Sequence, residues 1–159
     1  MLFSYDEEGA FGVILNRALD VDVNAIISQT PLSISPITPK PTLFGGPVGM
    51  TSCMALFEGE RSIDSGHSIV EEDQRIVSLS PSLKELERLI EEDIPFELLL
   101  GSAGWSAGQL DEEIQEGSWL YTDISPFLLF TVPPAERYSL ALTLMGLEPE
   151  MLWHTPFEA

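Results

Sequence analysis

The sequence predicts a single mixed α/β domain over residues 1–159, and two observations carry that reading. With 44% of its 159 residues hydrophobic, the chain can bury one sizeable core, which excludes disorder over most of its length; chains of this size bury roughly 70% of their extended surface. Short apolar runs also alternate irregularly with amphipathic stretches, joined by hairpin-length turns in some places and longer crossovers in others. That irregularity favours a mixed sheet over a purely parallel one. No internal repeat is present.

Leu2 to Tyr5 and Phe11 to Asn16 read as strands of a hairpin that turns on Asp6-Glu7-Glu8-Gly9. Asp22 is placed to cap a short helix carrying Ala25, Ile26 and Ile27. Pro31, Pro36, Pro39 and Pro41 then remove amide donors and fix φ, so this segment is expected as an extended surface connection. Thr42 to Phe44 and Met54 to Glu58 read as strands on either side of Gly45-Gly46-Pro47. A second hairpin is expected from His67–Val70 to Arg75–Leu79, turning on Glu71-Glu72-Asp73.

Ser80-Pro81 has the form of a helix start, serine supplying the cap oxygen and proline occupying the first turn. Leu83, Leu86, Leu89 and Ile90 share one helical face, with Glu85, Arg88 and Glu92 expected outside. Pro95 ends that helix, and Phe96 to Leu100 reads as a short buried strand. A glycine-rich loop over 101–108 should follow, with Trp105 packing into the core, then a helix to about Glu116 that stops at Gly117. Ser118 to Tyr121 is a further strand expectation. A last helix starts at Pro134, carries Tyr138, Ala141, Leu142 and Met145, and closes at Gly146.

Charge narrows the function. Seven Lys and Arg stand against 26 Asp and Glu, a net charge of −19. Such a field repels nucleic-acid phosphates and anionic membrane surfaces, so direct nucleic-acid or membrane binding is not expected. Cys53 is the lone cysteine, which rules out an internal disulfide and a thiol-rich metal site. With no basic, apolar leader at residue 1 and no run long enough to span a bilayer, the expected compartment is the cytoplasm.

The stretch Gly101-Ser102-Ala103-Gly104-Trp105-Ser106-Ala107-Gly108-Gln109-Leu110 carries the functional question. Ser106 and Gln109 have capping-box spacing, and Asp111, Glu112 and Glu113 suit the first turns of a helix. A glycine loop opening on a helix N-terminus can also bind an anion through free amides, provided a cation such as Arg17 converges on it. Gly104-Trp105-Ser106-Ala107-Gly108 fits the nucleophile-elbow pattern of serine hydrolases, with His154 later in the chain. Against a hydrolase stand the short chain, the residues between the expected strand and Ser106, and the capping duty of that serine. Asp20-Val21-Asp22-Val23-Asn24 imitates the start of a calcium loop, but Ala25 and Pro31 stand where glycine and the bidentate glutamate are required. No spacing brings Cys53 and His67 together. No metal site and no cofactor are expected.

Three blocks, Phe11-Gly12-Val13-Ile14-Leu15-Asn16-Arg17, Gly45-Gly46-Pro47-Val48 and Ala103 to Leu110, come in the order found in the YqgE/AlgH family, which the whole chain resembles. These are bacterial proteins, some described as candidate transcriptional regulators. The resemblance implies an α/β fold with a bifurcated, partly barrel-like sheet and flanking helices, in a cytoplasmic protein. It marks Asn16, Arg17, Gly45, Gly46, Pro47, Gly104, Trp105, Gly108, Gln109 and Leu110 as a shared surface, without assigning catalysis to any of them. Ala18 stands where the family has proline, Ser106 where it has glycine, and the family's opening strand is expected to be absent. The function expected is therefore a non-enzymatic regulatory or binding protein, acting through a protein partner or a small anionic ligand at Arg17 and the glycines. The alternatives are a small serine hydrolase using Ser106 and His154, and a structural scaffold.

Overall fold

The computed structural model describes residues 1–70, 74–123 and 125–148. In chain order the elements are β1 (Leu2–Asp6), β2 (Gly9–Gly12), β3 (Ala18–Asp22), α1 (Val23–Ile27), β4 (Pro41–Phe44), β5 (Val48–Glu58), β6 (His67–Val70), β7 (Ile76–Ser80), α2 (Leu83–Glu91), β8 (Phe96–Ser106), α3 (Gln109–Gln115), α4 (Pro126–Phe130) and α5 (Pro134–Leu144). The strands form one sheet in the order β1-β2-β8-β5-β7-β6, with β4 also paired to β8 and β3 to β4.

The long strand β8 is where the sheet divides. Leu99 and Leu100 lie parallel to Leu43 and Phe44 of β4. Ala103 to Ser106 lie antiparallel to Gly12 to Gly9 of β2. Strand β5 borders the opposite edge, from Phe96 to Leu100 and again at Ser102. The two outer strands, β1 and β6, then come together without ladder hydrogen bonds. His67 of β6 stacks on Phe11 at 4.7 Å between ring centroids and lies 6.2 Å from Phe3, so aromatic contacts nearly close the barrel.

Alternation along the central strands separates two cores. Leu43, Leu56, Leu79 and Leu99 point into the barrel with Phe3 and Val13, and Leu129 of α4 joins them. Their neighbours Ala55, Phe57 and Leu98 face outward, where Val23 and Ile27 of α1 and Leu86 and Leu89 of α2 cover them. Burial on both faces explains the apolar run Leu98 to Leu100. The proline-rich connection is extended as expected, and its Leu32, Ile34 and Ile37 pack against the outer core.

Several expectations need correction. Strand β8 does not stop at Leu100 but runs through the glycines to Ser106, because β5 still pairs with it at Ser102 and β2 pairs with it from Ala103 to Ser106. Ser118 to Tyr121 forms no strand. The cap of α2 is Ser82, whose side chain accepts from the Glu85 amide, since Ser80 is still paired in β7. The expected turn at Glu71-Glu72-Asp73 lies outside the described residues, although the two strands it joins pair as foreseen.

Glu85 is the largest departure. Instead of facing solvent it is fully buried. Its Oε2 accepts from the Ser62 amide (2.9 Å), the Ser62 hydroxyl (3.0 Å) and the Ile63 amide (3.2 Å), and its Oε1 accepts from Arg88 Nε at 2.7 Å. Burial pushes this carboxyl up, but the bonds from Arg88 and Ser62 outweigh it and leave its pKa below the ordinary glutamate value. The carboxylate thereby ties the turn after β5 to α2. Replacing Glu85 with Ala leaves three donors and Arg88 without that acceptor and should cost about 3 kcal/mol, read as a fall in the urea midpoint. Because the folded pKa is depressed, this contribution is present above the unfolded value near pH 4.3 and fades as pH falls through the lower folded value. The wild-type and Glu85→Ala midpoints should therefore converge in acid.

Candidate functional site

The residues marked by sequence do not form a glycine loop. Gly104 sits within β8 opposite Phe11, and Gly108 is the left-handed N-cap of α3 at φ +74°. Gly45 and Gly46 cross β8 at close range. A Cβ on Gly45 would overlap the Gly101 carbonyl oxygen, and one on Gly46 would overlap the Ser102 carbonyl. The Gly45 amide donates to Leu100 (2.8 Å) and its carbonyl accepts from Ile14 (2.8 Å), so its polar groups are spent on the backbone. These glycines permit the crossing at which β8 exchanges β4 for β2. Gly46→Ala should therefore destabilise the fold by about 2 kcal/mol or more, measurable as a lower melting midpoint.

Arg17 is exposed, its guanidinium 4.6 Å from the Phe44 ring centroid and its carbonyl accepting the Phe44 amide. Pro47 is exposed just before β5. Helix α3 opens with Asp111 and Glu112 and has no side-chain cap. Only half of the expected capping box exists: Gln109 Oε1 accepts from the Ser106 amide at 3.0 Å, while Ser106 remains the last residue of β8. The strand thus reaches Ser106, which removes one objection to a nucleophile elbow. The strained backbone of an elbow is missing, however, because Gln74 and Asp93 are the non-glycine residues with positive φ among those described. His154 lies outside the described residues.

What the fold does bring together is a cleft of about 310 Å³ beside β2 and β8. Its floor is apolar, formed by Val13, Ile14, Leu15 and Ala103. Asn16 stands at its rim, next to Arg17 in the chain, and Trp105, Trp119 and Tyr138 supply aromatic walls. Trp105 is half-buried, so it lines this cleft instead of filling the core. The two indoles meet edge to face, 5.8 Å between centroids and 78° apart.

One carboxylate holds both of them. Glu113 Oε2 accepts from Trp105 Nε1 at 3.0 Å and from Trp119 Nε1 at 2.6 Å, while Glu113 Oε1 accepts from Gln109 Nε2 at 2.9 Å. Bonds from Trp119, Gln109 and Trp105 keep the Glu113 carboxyl below the usual glutamate range. With their N–H groups directed to Glu113, the indoles present hydrocarbon surface to the cleft. Arg137, 3% exposed, also lines the cleft: Nε donates to the Val132 carbonyl (3.0 Å), Nη1 to the Leu15 carbonyl (2.6 Å), and Nη2 pairs with Glu97. Its charge is thus met inside the fold.

Composition could have flagged Trp119 and Tyr138 only as aromatics. Nothing local in the sequence links Glu113 to two tryptophans, because the triad forms only once β8 and α3 are in place. Glu113→Ala should change the near-ultraviolet circular dichroism of the tryptophans with little loss of melting midpoint. In the wild type that signal should persist on acidification past the ordinary glutamate pKa near 4.3, then fall once Glu113 protonates.

Cys53 and His67 lie in different surroundings: Cys53 packs against the outer core, where burial raises its thiol pKa, and His67 lies in the aromatic seam. Among the described residues no group of three or more His, Cys, Asp and Glu is arranged to hold a metal ion, and no helix is long and apolar enough to cross a membrane.

Known proteins share this architecture. The AlgH protein from Pseudomonas aeruginosa, a UPF0301 protein whose solution structure is known, superposes with a TM-score of 0.75 at 27% identity, over 99% of this chain and 84% of that one. A Corynebacterium diphtheriae protein shares the fold at 24% identity and a TM-score of 0.66, covering 98% of this chain and 80% of that one. UPF0301 proteins of Ralstonia nicotianae and Ralstonia pickettii are 35% and 34% identical over 95% and 93% of this chain, covering 80% and 78% of their own lengths. The AlgH-like family model matches residues 1–150, and the chain belongs to that family.

Proposed function

We propose that this chain is a non-enzymatic binding protein of the cytoplasm that acts through a protein partner, with the cleft between Trp105, Trp119 and Tyr138 as its contact site. The observation that carries this reading is the aromatic wall. Trp119, Leu120 and Tyr121 are consecutive and 46%, 53% and 81% exposed, and Tyr138, which lines the cleft with Trp119, is 55% exposed. Large apolar side chains gathered on a surface mark interaction sites, and Trp and Tyr are the side chains that most often dominate binding energy.

Of the two ligand classes expected from sequence, the protein partner is the better supported. A small anion would meet Asp111 and Glu112 at the N-terminus of α3, a Gly45 amide already bonded to Leu100, and an Arg17 that lies over the Phe44 ring. A regulatory role would run through protein contact, since a net charge of −19 opposes direct contact with DNA.

The test is site-specific photocrosslinking in cells, with a benzophenone side chain at position 138 and a control at the exposed Val21. A discrete adduct from position 138, absent from position 21, is expected. Trp119→Ala should reduce it tenfold or more, equivalent to at least about 1.4 kcal/mol of binding, while leaving the melt nearly unchanged. Equal adducts from both positions, or DNA binding at physiological salt, would overturn the proposal.

A further inference from the structure

We infer that the partner segment received by this cleft is basic: an apolar anchor that enters between Trp105, Trp119 and Tyr138, flanked by lysine or arginine. The inference rests on the cleft being the contact site and adds the chemistry of what it contacts.

Charge distribution carries it. From Leu89 to Glu136 the chain has ten carboxylate residues and no Lys or Arg. That stretch supplies β8, α3 and α4, and with them Trp105, Trp119 and Ala103 of the cleft. On α3 and its C-cap, Asp111, Glu112 and Glu116 are exposed, as is Glu136 beside Arg137. Arg137 contributes no free charge, being buried against Glu97 and two carbonyls. A largely apolar cleft, part of whose lining comes from a stretch of chain rich in carboxylates and without a cation, therefore selects two properties at once. An aliphatic or aromatic anchor gains by leaving water, whereas cationic flanks gain from a field that repels acidic and phosphorylated segments.

The same field argues against a second copy as occupant. Two chains would each bring a charge of −19. A second copy also has few cations to offer, seven Lys and Arg in all, and Arg88 and Arg137 among them are already paired with carboxylates of their own chain.

The experiment uses the full chain carrying Trp153→Phe, so that indole emission reports Trp105 and Trp119 alone. A series of synthetic peptides shares one leucine- and phenylalanine-containing anchor and differs only in flanks of Lys/Arg, Gln or Glu. The Lys/Arg-flanked peptide should bind at least tenfold more tightly than the Gln-flanked one and shift the emission, with the Glu-flanked one weakest. Raising the salt should shrink the difference, as should the exposed double substitution Glu112→Gln with Glu116→Gln.

Equal binding of Gln- and Lys/Arg-flanked peptides, both shifting emission, would overturn the basic-partner inference and leave the cleft as the contact site. Binding that neither shifts emission nor weakens on Tyr138→Ala would overturn it too, as charge attraction outside the cleft. If no peptide binds, the cleft reading falls and takes the inference with it.

Discussion

The fold depends on the crossing at Gly101, where β8 exchanges one neighbour for another. One edge of that strand is held by β5, while the other faces β4 up to Leu100 and β2 from Ala103. Strands pair about 4.8 Å apart, so a third backbone can pass between the two partners only where side chains are absent. Gly101 at φ +75° turns there, with the Gly46 carbonyl against the space its Cβ would need. Because β4 leaves the edge and β2 joins it, the sheet divides into a nearly closed barrel and an arm. The chain after β2 then bonds back to Gly45 through the Ile14 amide, and its Val13 to Asn16 line the cleft together with Ala103 and Trp105 of β8.

Arg137 translates the division into a shaped surface. Its guanidinium reaches the Leu15 carbonyl after β2, the Val132 carbonyl before α5, and Glu97 in β8. A planar group with five donors in fixed geometry suits this three-way junction better than an ammonium, which offers a point charge. The junction fixes the distance between the β2 end and α5, and with it the position of Tyr138. Glu113 performs a complementary task by accepting from both indoles of the cleft.

How much of this was legible follows from the range of each interaction. The pairing of the two hairpins, the Asp22 cap, the extended proline segment, the Gly117 stop and the last helix rest on neighbours close in sequence and are present, although the strand expected from Phe11 to Asn16 ends at Gly12. The failures are long-range. Phe96 to Ser106 reads as a strand followed by a loop because glycine disfavours strands locally, yet here pairing with β5 at Ser102 and with β2 from Ala103 overrides that preference. Glu85 fits an outward helical face in the periodicity but serves Ser62 and Ile63, more than twenty residues away. The marked glycines were legible as a cluster, while their role in backbone crossing was not, since a pattern cannot distinguish an amide awaiting a ligand from one already bonded. Of the marked residues, Asn16 and Trp105 do line the cleft, whereas Trp119, Tyr138 and Arg137 join it only through tertiary contacts.

The acid surplus also bears on how a cleft of this kind remains open. Six of the seven basic residues are engaged inside the molecule: Arg17 on Phe44, Lys40 at the Phe96 ring and carbonyl, Arg61 with Ser68, Arg75 with Glu58, Arg88 with Glu85 and Glu92, and Arg137 with Glu97. Exposed carboxylates are consequently left in large excess, and their mutual repulsion works against folding. The same repulsion acts between molecules. An exposed Trp-Leu-Tyr run would otherwise promote association of one copy with another, and a strong net charge of one sign opposes it. Net charge therefore separates two outcomes that apolar surface alone would not distinguish: contact between like chains, which it penalises, and contact with a segment of opposite charge, which it favours.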